Sequence, residues 1–354
     1  MIDKRLLILL PFAACAAESG EAAAPVGSVA QAAPAAPDAA SCDEHIFSHG
    51  TASFSANPDT IFWSEFVAGP NLREADLFRV PRAGGLLEQV GAVSAFLGGG
   101  VQADPRGAYL YTSNISDFPT AHYFKQNGEL IGSLDLGRSD KTRPDGAFLY
   151  IASGCNCGDG STDDLLRVRR DDLAQASPPL ELVATTGGSV VTFAIGDKHI
   201  IYLQAEIGND EHRVVMKVAK GGGTPKLMYS SPTARIDDLV IVGESAWVIE
   251  RAFGTVDQVG PANIIRVDGD TGEAQLVAAL DDGQQRFLIG GADTAFLRHF
   301  VSSGNVNDIS RIDADSGAIT DVPLLQGVFN VQIDAAGAVY FKDDFLRSLA
   351  EGCF

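Results

Sequence analysis

Seven short apolar runs recur along the chain: Ile61-Phe62-Trp63, Tyr109-Leu110-Tyr111, Phe148-Leu149-Tyr150, Ile200-Ile201-Tyr202, Ala246-Trp247-Val248, Ala295-Phe296-Leu297 and Val339-Tyr340-Phe341. Continuous apolar runs this short, rich in aromatic and branched side chains, suit strands covered on both faces. They are expected to be the inner strand of each repeat. A turn containing an acid precedes each one, as in Asn57-Pro58-Asp59, Asp104-Pro105-Arg106-Gly107, Gly196-Asp197 and Asp334-Ala335-Ala336-Gly337. Those are hairpin turns by their chemistry. A second pattern follows six of these runs: acid or amide, aliphatic, any residue, basic, aliphatic. Its clearest copies are Asp76-Leu77-Phe78-Arg79-Val80, Asp164-Leu165-Leu166-Arg167-Val168, Asn263-Ile264-Ile265-Arg266-Val267, Asp308-Ile309-Ser310-Arg311-Ile312 and Asp344-Phe345-Leu346-Arg347-Ser348, with Val215-Met216-Lys217-Val218 a looser member. Glycine hairpins such as Arg82-Ala83-Gly84-Gly85 and Gln126-Asn127-Gly128 come next, and then an outer strand such as Glu273 to Leu280.

A repeat of about 45 residues made only of strands and turns predicts an all-β fold, a β-propeller of four-stranded antiparallel sheets. Seven units give seven blades. The third unit is the weakest, because its first strand must come from the polar stretch Arg138 to Arg143, so six blades is the alternative. The last unit stops after its third strand, at Arg347 to Ala350. Its fourth strand is expected from His45 to His49, a closure that hides the edges an open sheet would expose.

On these repeats the chain, from Cys42 to the C-terminus, resembles the extracytoplasmic propellers of the YWTD, NHL and TolB types, and lipid-anchored bacterial propellers among them. The resemblance concerns the fold only. No strict YWTD tetrapeptide is present.

The N-terminus changes the picture of where this fold works. Lys4 and Arg5 precede the apolar run Leu6 to Leu10, which ends in Phe12-Ala13-Ala14-Cys15. This reads as an export signal and is too short to span a bilayer. Small residues before a cysteine resemble the lipobox of bacterial lipoproteins, which implies lipidation of Cys15 after a signal peptide spanning residues 1–15. Ala16 after the cysteine then implies the outer membrane more than the inner. Cleavage near Ala16 or Ala17, releasing a soluble periplasmic protein, is the alternative. Residues 16–41 are nearly all Ala, Pro, Gly, Glu, Ser and Val and read as a disordered tether. The propeller occupies residues 42–354.

Five cysteines are an odd count, and lipid on Cys15 leaves four for an oxidising compartment. Of three possible pairings, Cys42 with Cys353 and Cys155 with Cys157 is preferred. The first would join the two ends of the final blade and constrain a loop of about 300 residues. The formal charge is −20, from 26 Lys and Arg against 46 Asp and Glu. Such a surface repels phosphate backbones, so nucleic acid is excluded as a partner.

Candidate chemistry sits two residues beyond each apolar triplet, because equivalent positions of equivalent blades emerge at one rim. Those positions hold Glu65, Ser113, Ala152, Gln204, Glu250, His299 and Asp343. Glu250, His299, Asp343 and Glu65 fall on neighbouring blades and form an arc with Arg251, Arg298 and Asp344. Hard oxygen ligands beside a histidine could hold a divalent ion such as calcium, or tune a carboxylate as a base. The plainer expectation is a solvated arc paired with the two arginines. Asp313-Ala314-Asp315-Ser316-Gly317 and Asp268-Gly269-Asp270-Thr271-Gly272 open like calcium loops but lack the closing Glu of an EF-hand loop and fall where the repeat requires a hairpin. Neither a Gly-x-Ser-x-Gly elbow nor a His-Glu-x-x-His pair occurs. The functional expectation is a lipid-anchored binding or scaffold module with a protein or glycan partner at the cell envelope. The alternative is a metal-dependent hydrolase or lactonase resembling the gluconolactonase propellers.

Overall fold

The computed structural model describes residues 43–48, 53–68, 73–95, 97–113, 119–137, 141–153, 162–253, 261–280, 286–291, 293–301, 306–334, 337–342 and 345–349. The chain divides into Met1–Gln31 and Ala32–Phe354, and all described residues belong to the second unit. Cys15, Cys42, Cys155, Cys157, Cys353, the export segment, the whole tether, Asp343 and Asp344 lie outside the described residues.

The described strands form seven antiparallel sheets of four. Blade one is β2 (Ser53–Ala56), β3 (Thr60–Ala68), β4 (Arg73–Pro81) and β5 (Glu88–Ser94). Blade two is β6 (Leu97–Asp104), β7 (Gly107–Ser113), β8 (Pro119–Lys125) and β9 (Leu130–Asp135). Blade three is β10 (Lys141–Asp145), β11 (Phe148–Ser153), β12 (Asp164–Arg169) and β13 (Glu181–Thr185). Blade four is β14 (Ser189–Ile195), β15 (His199–Glu206), β16 (Asn209–Ala219) and β17 (Lys226–Ser230). Blade five is β18 (Ala234–Val242), β19 (Ser245–Ala252), β20 (Ala262–Val267) and β21 (Ala274–Leu280). Blade six is β22 (Arg286–Gly290), β23 (Ala295–Val301), β24 (Val306–Ile312) and β25 (Ile319–Asp321). Blade seven is β26 (Asn330–Asp334), β27 (Gly337–Lys342), β28 (Phe345–Leu349) and, from the other end of the chain, β1 (Asp43–Ser48). The polar stretch of the third unit does supply a first strand, so the count is seven.

The first strand of each blade packs on the first strand of the next, from β2 through β6, β10, β14, β18 and β22 to β26. Gln332 on β26 closes the circle, since its side chain accepts from the Ala56 amide at 2.8 Å and donates to the Ala56 carbonyl at 2.9 Å. The innermost position therefore belongs to these first strands. The apolar triplets, expected there, are the second strands. Their burial comes from a strand on either side in the sheet and a blade on either face, whereas a strand at the axis keeps polar residues.

Among the described residues the core forms seven apolar clusters, one at each contact between consecutive blades. The spacing of the repeated motif follows from this. Its two aliphatic positions are three residues apart on a strand of period two, so they point to opposite faces. Leu77 enters the cluster shared with blade two while Val80 enters the one shared with blade seven. Leu165 and Val168 divide in the same way between blades four and two. The basic residue stands two places after the first aliphatic one and so shares its face. Arg79 accordingly donates to the Gln126 carbonyl of blade two, Arg167 to Lys220 O of blade four at 2.8 Å, and Lys217 to Gly269 O of blade five at 2.6 Å.

The acids of the first hairpins are likewise tied to the following blade. Asp104 of blade two takes both carboxylate oxygens to Arg170 of blade three at 2.8 Å, Asp145 of blade three meets Lys220 of blade four at 2.6 Å, and Asp334 of blade seven meets Arg82 of blade one at 2.8 Å. Glycine serves the other hairpins, where Gly84 and Gly128 adopt φ of 83° and 85°. In blades one to five a bulge at the motif's middle residue, Phe78, Leu166, Met216 or Ile265, or at the equivalent Phe124 of blade two, shifts the register of the outer strand. Leu130, Leu182, Leu227 and Leu276 stand opposite it and are exposed, which the sequence pattern did not indicate.

Candidate binding rim

The second strands end at the rim where the first strands begin, because each pair is antiparallel: Ala252 lies opposite Ala234, and His299 opposite Arg286. Glu65, Glu250 and His299 are all near this rim, and each is engaged within its own wall or the neighbouring one. Glu250 is buried and accepts from the Tyr229 hydroxyl of blade four at 2.5 Å. Burial first, and then this carboxylate, push the Tyr229 phenol well above its usual pKa. His299 Nε2 lies 3.1 Å from Ser310 Oγ, which donates to Asp321 at 2.8 Å. Glu65 accepts from the Trp63 indole at 3.3 Å and stands opposite Asp76, whose pKa is raised by burial first and then by Glu74 and Glu65.

A divalent ion held by this arc would need several of these groups to converge. Among the described residues no three His, Cys, Asp or Glu side chains do so. Glu250 Oε1 and His299 Nε2 are engaged instead by Tyr229 and Ser310, so no chemistry is routed through a metal here. The two calcium-like loops are ordinary hairpins: Asp313 Oδ1 accepts from the amides of Asp315 and Ser316, and Asp268 Oδ1 from those of Asp270 and Thr271.

The same rim carries a second group of charges that the repeat pattern did not single out. A bulge at Asp237 interrupts the pairing of β18 with β19. The Asp237 carboxylate, 4% exposed, meets three guanidinium groups: Arg235 Nε at 2.6 Å, Arg251 Nε at 2.9 Å and Arg213 Nη1 of blade four at 3.8 Å. Arg235 also holds Glu211 at 2.9 Å. Arg251 is 1% exposed and is held by Asp237. Its pKa is lowered by burial first and, less strongly, by the positive charge of Arg235 and Arg286, against the pull of Asp237. Asp238 accepts from the Leu288 amide of blade six at 2.7 Å and is pushed up by burial, with Arg298 opposing the rise. Arg298 lies over the Phe287 ring at 4.7 Å, and its Nε is buried with no hydrogen-bond partner among the described residues.

Arg213, Arg235, Asp237, Asp238 and Arg286 were thus missed by the repeat analysis. One signal was available: Arg235 and Asp237-Asp238 break a strand that is otherwise apolar from Ile236 to Val242. Charges at one end of an innermost strand belong at the mouth of the axis.

Comparison with known proteins supports the fold and goes no further. No protein-family model and no curated protein matches the chain. A puromycin-hydrolyzing peptidase from Mycobacterium tuberculosis is similar over 82% of this chain and 49% of its own, at 13% identity and a TM-score of 0.56. An uncharacterized protein from Listeria monocytogenes EGD-e is similar over 81% of this chain and 87% of its own, at 12% identity and a TM-score of 0.53. The periplasmic gluconolactonase of Pseudomonas aeruginosa aligns at a TM-score of only 0.48, with 13% identity over 76% and 83% of the two chains. The chain spans about half the length of the peptidases it matches. It is a β-propeller.

Proposed function

We propose that this propeller is a binding or scaffold module of the bacterial cell envelope, held to a membrane through lipid on Cys15 and spaced from it by residues 16–41. The outer membrane is the proposed site, and the partner a protein or glycan. Closure by a Cys42–Cys353 disulfide belongs to the same proposal. Asp43 and Leu349, near those cysteines in sequence, pair across the last seam of the ring. The observation that carries the binding reading is the use of the rim acids. Glu250 and His299, the rim candidates for a metal-dependent lactonase, are each held by a hydroxyl group of the propeller wall, that of Tyr229 or Ser310.

Capture with the tagged full-length protein from detergent-solubilised envelopes is expected to retain one protein or glycan at fixed stoichiometry. A monomer that retains nothing but turns over a lactone, with activity lost in chelator and restored by calcium, would overturn the reading in favour of the hydrolase.

A further inference from the structure

The geometry points to the rim between blades four, five and six as a site for a ligand carrying a carboxylate, recognised by Arg213 and Arg235 over the buried Asp237–Arg251 pair and by Arg298 of blade six. This deepens the binding reading above and rests on it. Four observations converge.

First, guanidinium groups from three consecutive blades are brought to two adjacent carboxylates, in a chain whose formal charge is −20. Collecting guanidinium groups against a low-dielectric wall is costly, and each carboxylate that meets them offsets part of that cost. Second, Arg298 Nε is buried and has no hydrogen-bond partner among the described residues, although its ring contact with Phe287 fixes its plane. A planar donor fork held in place by an aromatic ring matches a carboxylate better than a point cation would. Third, Arg235 and Arg213 keep part of their side chains open, at 14% and 18%, whereas Arg251 beneath them is sealed. The buried pair positions the open ones.

Fourth, the site already shows which chemistry it accepts. Glu211 lies on the long strand β16, which starts with the hairpin at Ile207-Gly208, and its carboxylate is 44% exposed while it sits 2.9 Å from Arg235 Nη1. An exposed carboxylate on a hairpin next to Arg235 is a resident occupant that an incoming carboxylate replaces. The exchange swaps one charge-assisted pair for another, so Glu211 acts as a competitor. Its removal therefore strengthens ligand binding, while loss of Arg235 weakens it.

Isothermal titration of the full-length protein with citrate, with trigalacturonate and with inorganic phosphate tests this. The citrate arm reports a free carboxylic acid and the trigalacturonate arm an acidic glycan. The expected result is saturable one-to-one binding of at least one carboxylate probe, tighter than phosphate. Affinity should fall about tenfold in Arg235→Gln and in Arg298→Gln, fall less in Arg235→Lys, and rise severalfold in Glu211→Gln. Circular dichroism melts establish that each variant is folded, and the partly exposed Arg298 serves if Arg235→Gln is not. No saturable binding of either carboxylate, equal affinity for phosphate, or unchanged affinity in both arginine variants would overturn the site. A full yield of envelope partner with folded Arg235→Gln and Arg298→Gln would overturn the site while leaving the binding module standing. Carboxylate binding without any envelope partner would do the reverse.

Discussion

Asp237 shows how much one side chain can organise. Three guanidinium groups share its carboxylate, and one of them, Arg251, is sealed from water. Breaking a buried ion pair by neutralising one partner leaves the other charge uncompensated, at a cost of about 3–5 kcal/mol. Asp237→Asn is therefore expected to lower stability by that amount in urea titration, whereas neutralising the exposed Glu181 should cost under about 1 kcal/mol. His122 supplies a pH-dependent counterpart. It lies between Thr112 Oγ1 at 2.9 Å and Ser133 Oγ at 2.7 Å, and burial lowers its pKa from 6.5 to about 4. The folded state thus resists protonation while the unfolded chain accepts it, so His122 contributes stability that is complete above pH 6.5 and is lost as pH falls toward 4. Across that window the loss should reach at most about 3 kcal/mol. His122→Gln keeps the hydrogen bonding and should flatten this slope when urea midpoints are compared at several pH values.

At the scale of elements, the repeated motif is a device for joining blades. Its aliphatic pair faces two different interfaces and its basic residue reaches over the next one, as Arg167 does to the Lys220 carbonyl while also pairing with Glu181. Arg266 occupies the same motif position, and the partner seen for it is Gln275 of its own blade. Arg167→Ala should therefore cost about 1.5–3 kcal/mol, the value of a hydrogen bond to a charged group, and Arg266→Ala distinctly less. Differential scanning calorimetry of the two variants checks the difference. The motif was fully legible in the sequence as a pattern, but its purpose was not, since the accepting carbonyls are about 50 residues away in the chain. The placement of the apolar triplets was misjudged for a related reason. Continuous hydrophobicity reports cover on both faces, and every middle strand of a blade has that cover whether or not it is nearest the axis.

For the whole molecule, the last seam decides whether the ring holds. β1 completes blade seven by pairing with β28 from Asp43↔Leu349 to Ser48↔Phe345, and Gln332 and Arg82 bind blade seven to blade one. Deleting residues 1–48 would leave β28 as an open edge, which pairs readily with other chains. The shortened protein should show a lower melting temperature and form dimers or larger species by light scattering, while a variant lacking only residues 1–41 should remain monomeric and stable. Periodicity along the chain sufficed to determine the all-β class, the four-strand unit and the closing role of the N-terminal strand, because each rests on local patterns of two and on a repeat that the chain itself displays. The rim was a different matter. Arg213, Arg235, Asp237, Asp238 and Arg298 come from blades four, five and six, carry no shared spacing, and become one electrostatic unit only when the axis brings three blades together. Coulombic interactions and burial depend on distance in space, so only the tertiary structure could decide which charges act on each other.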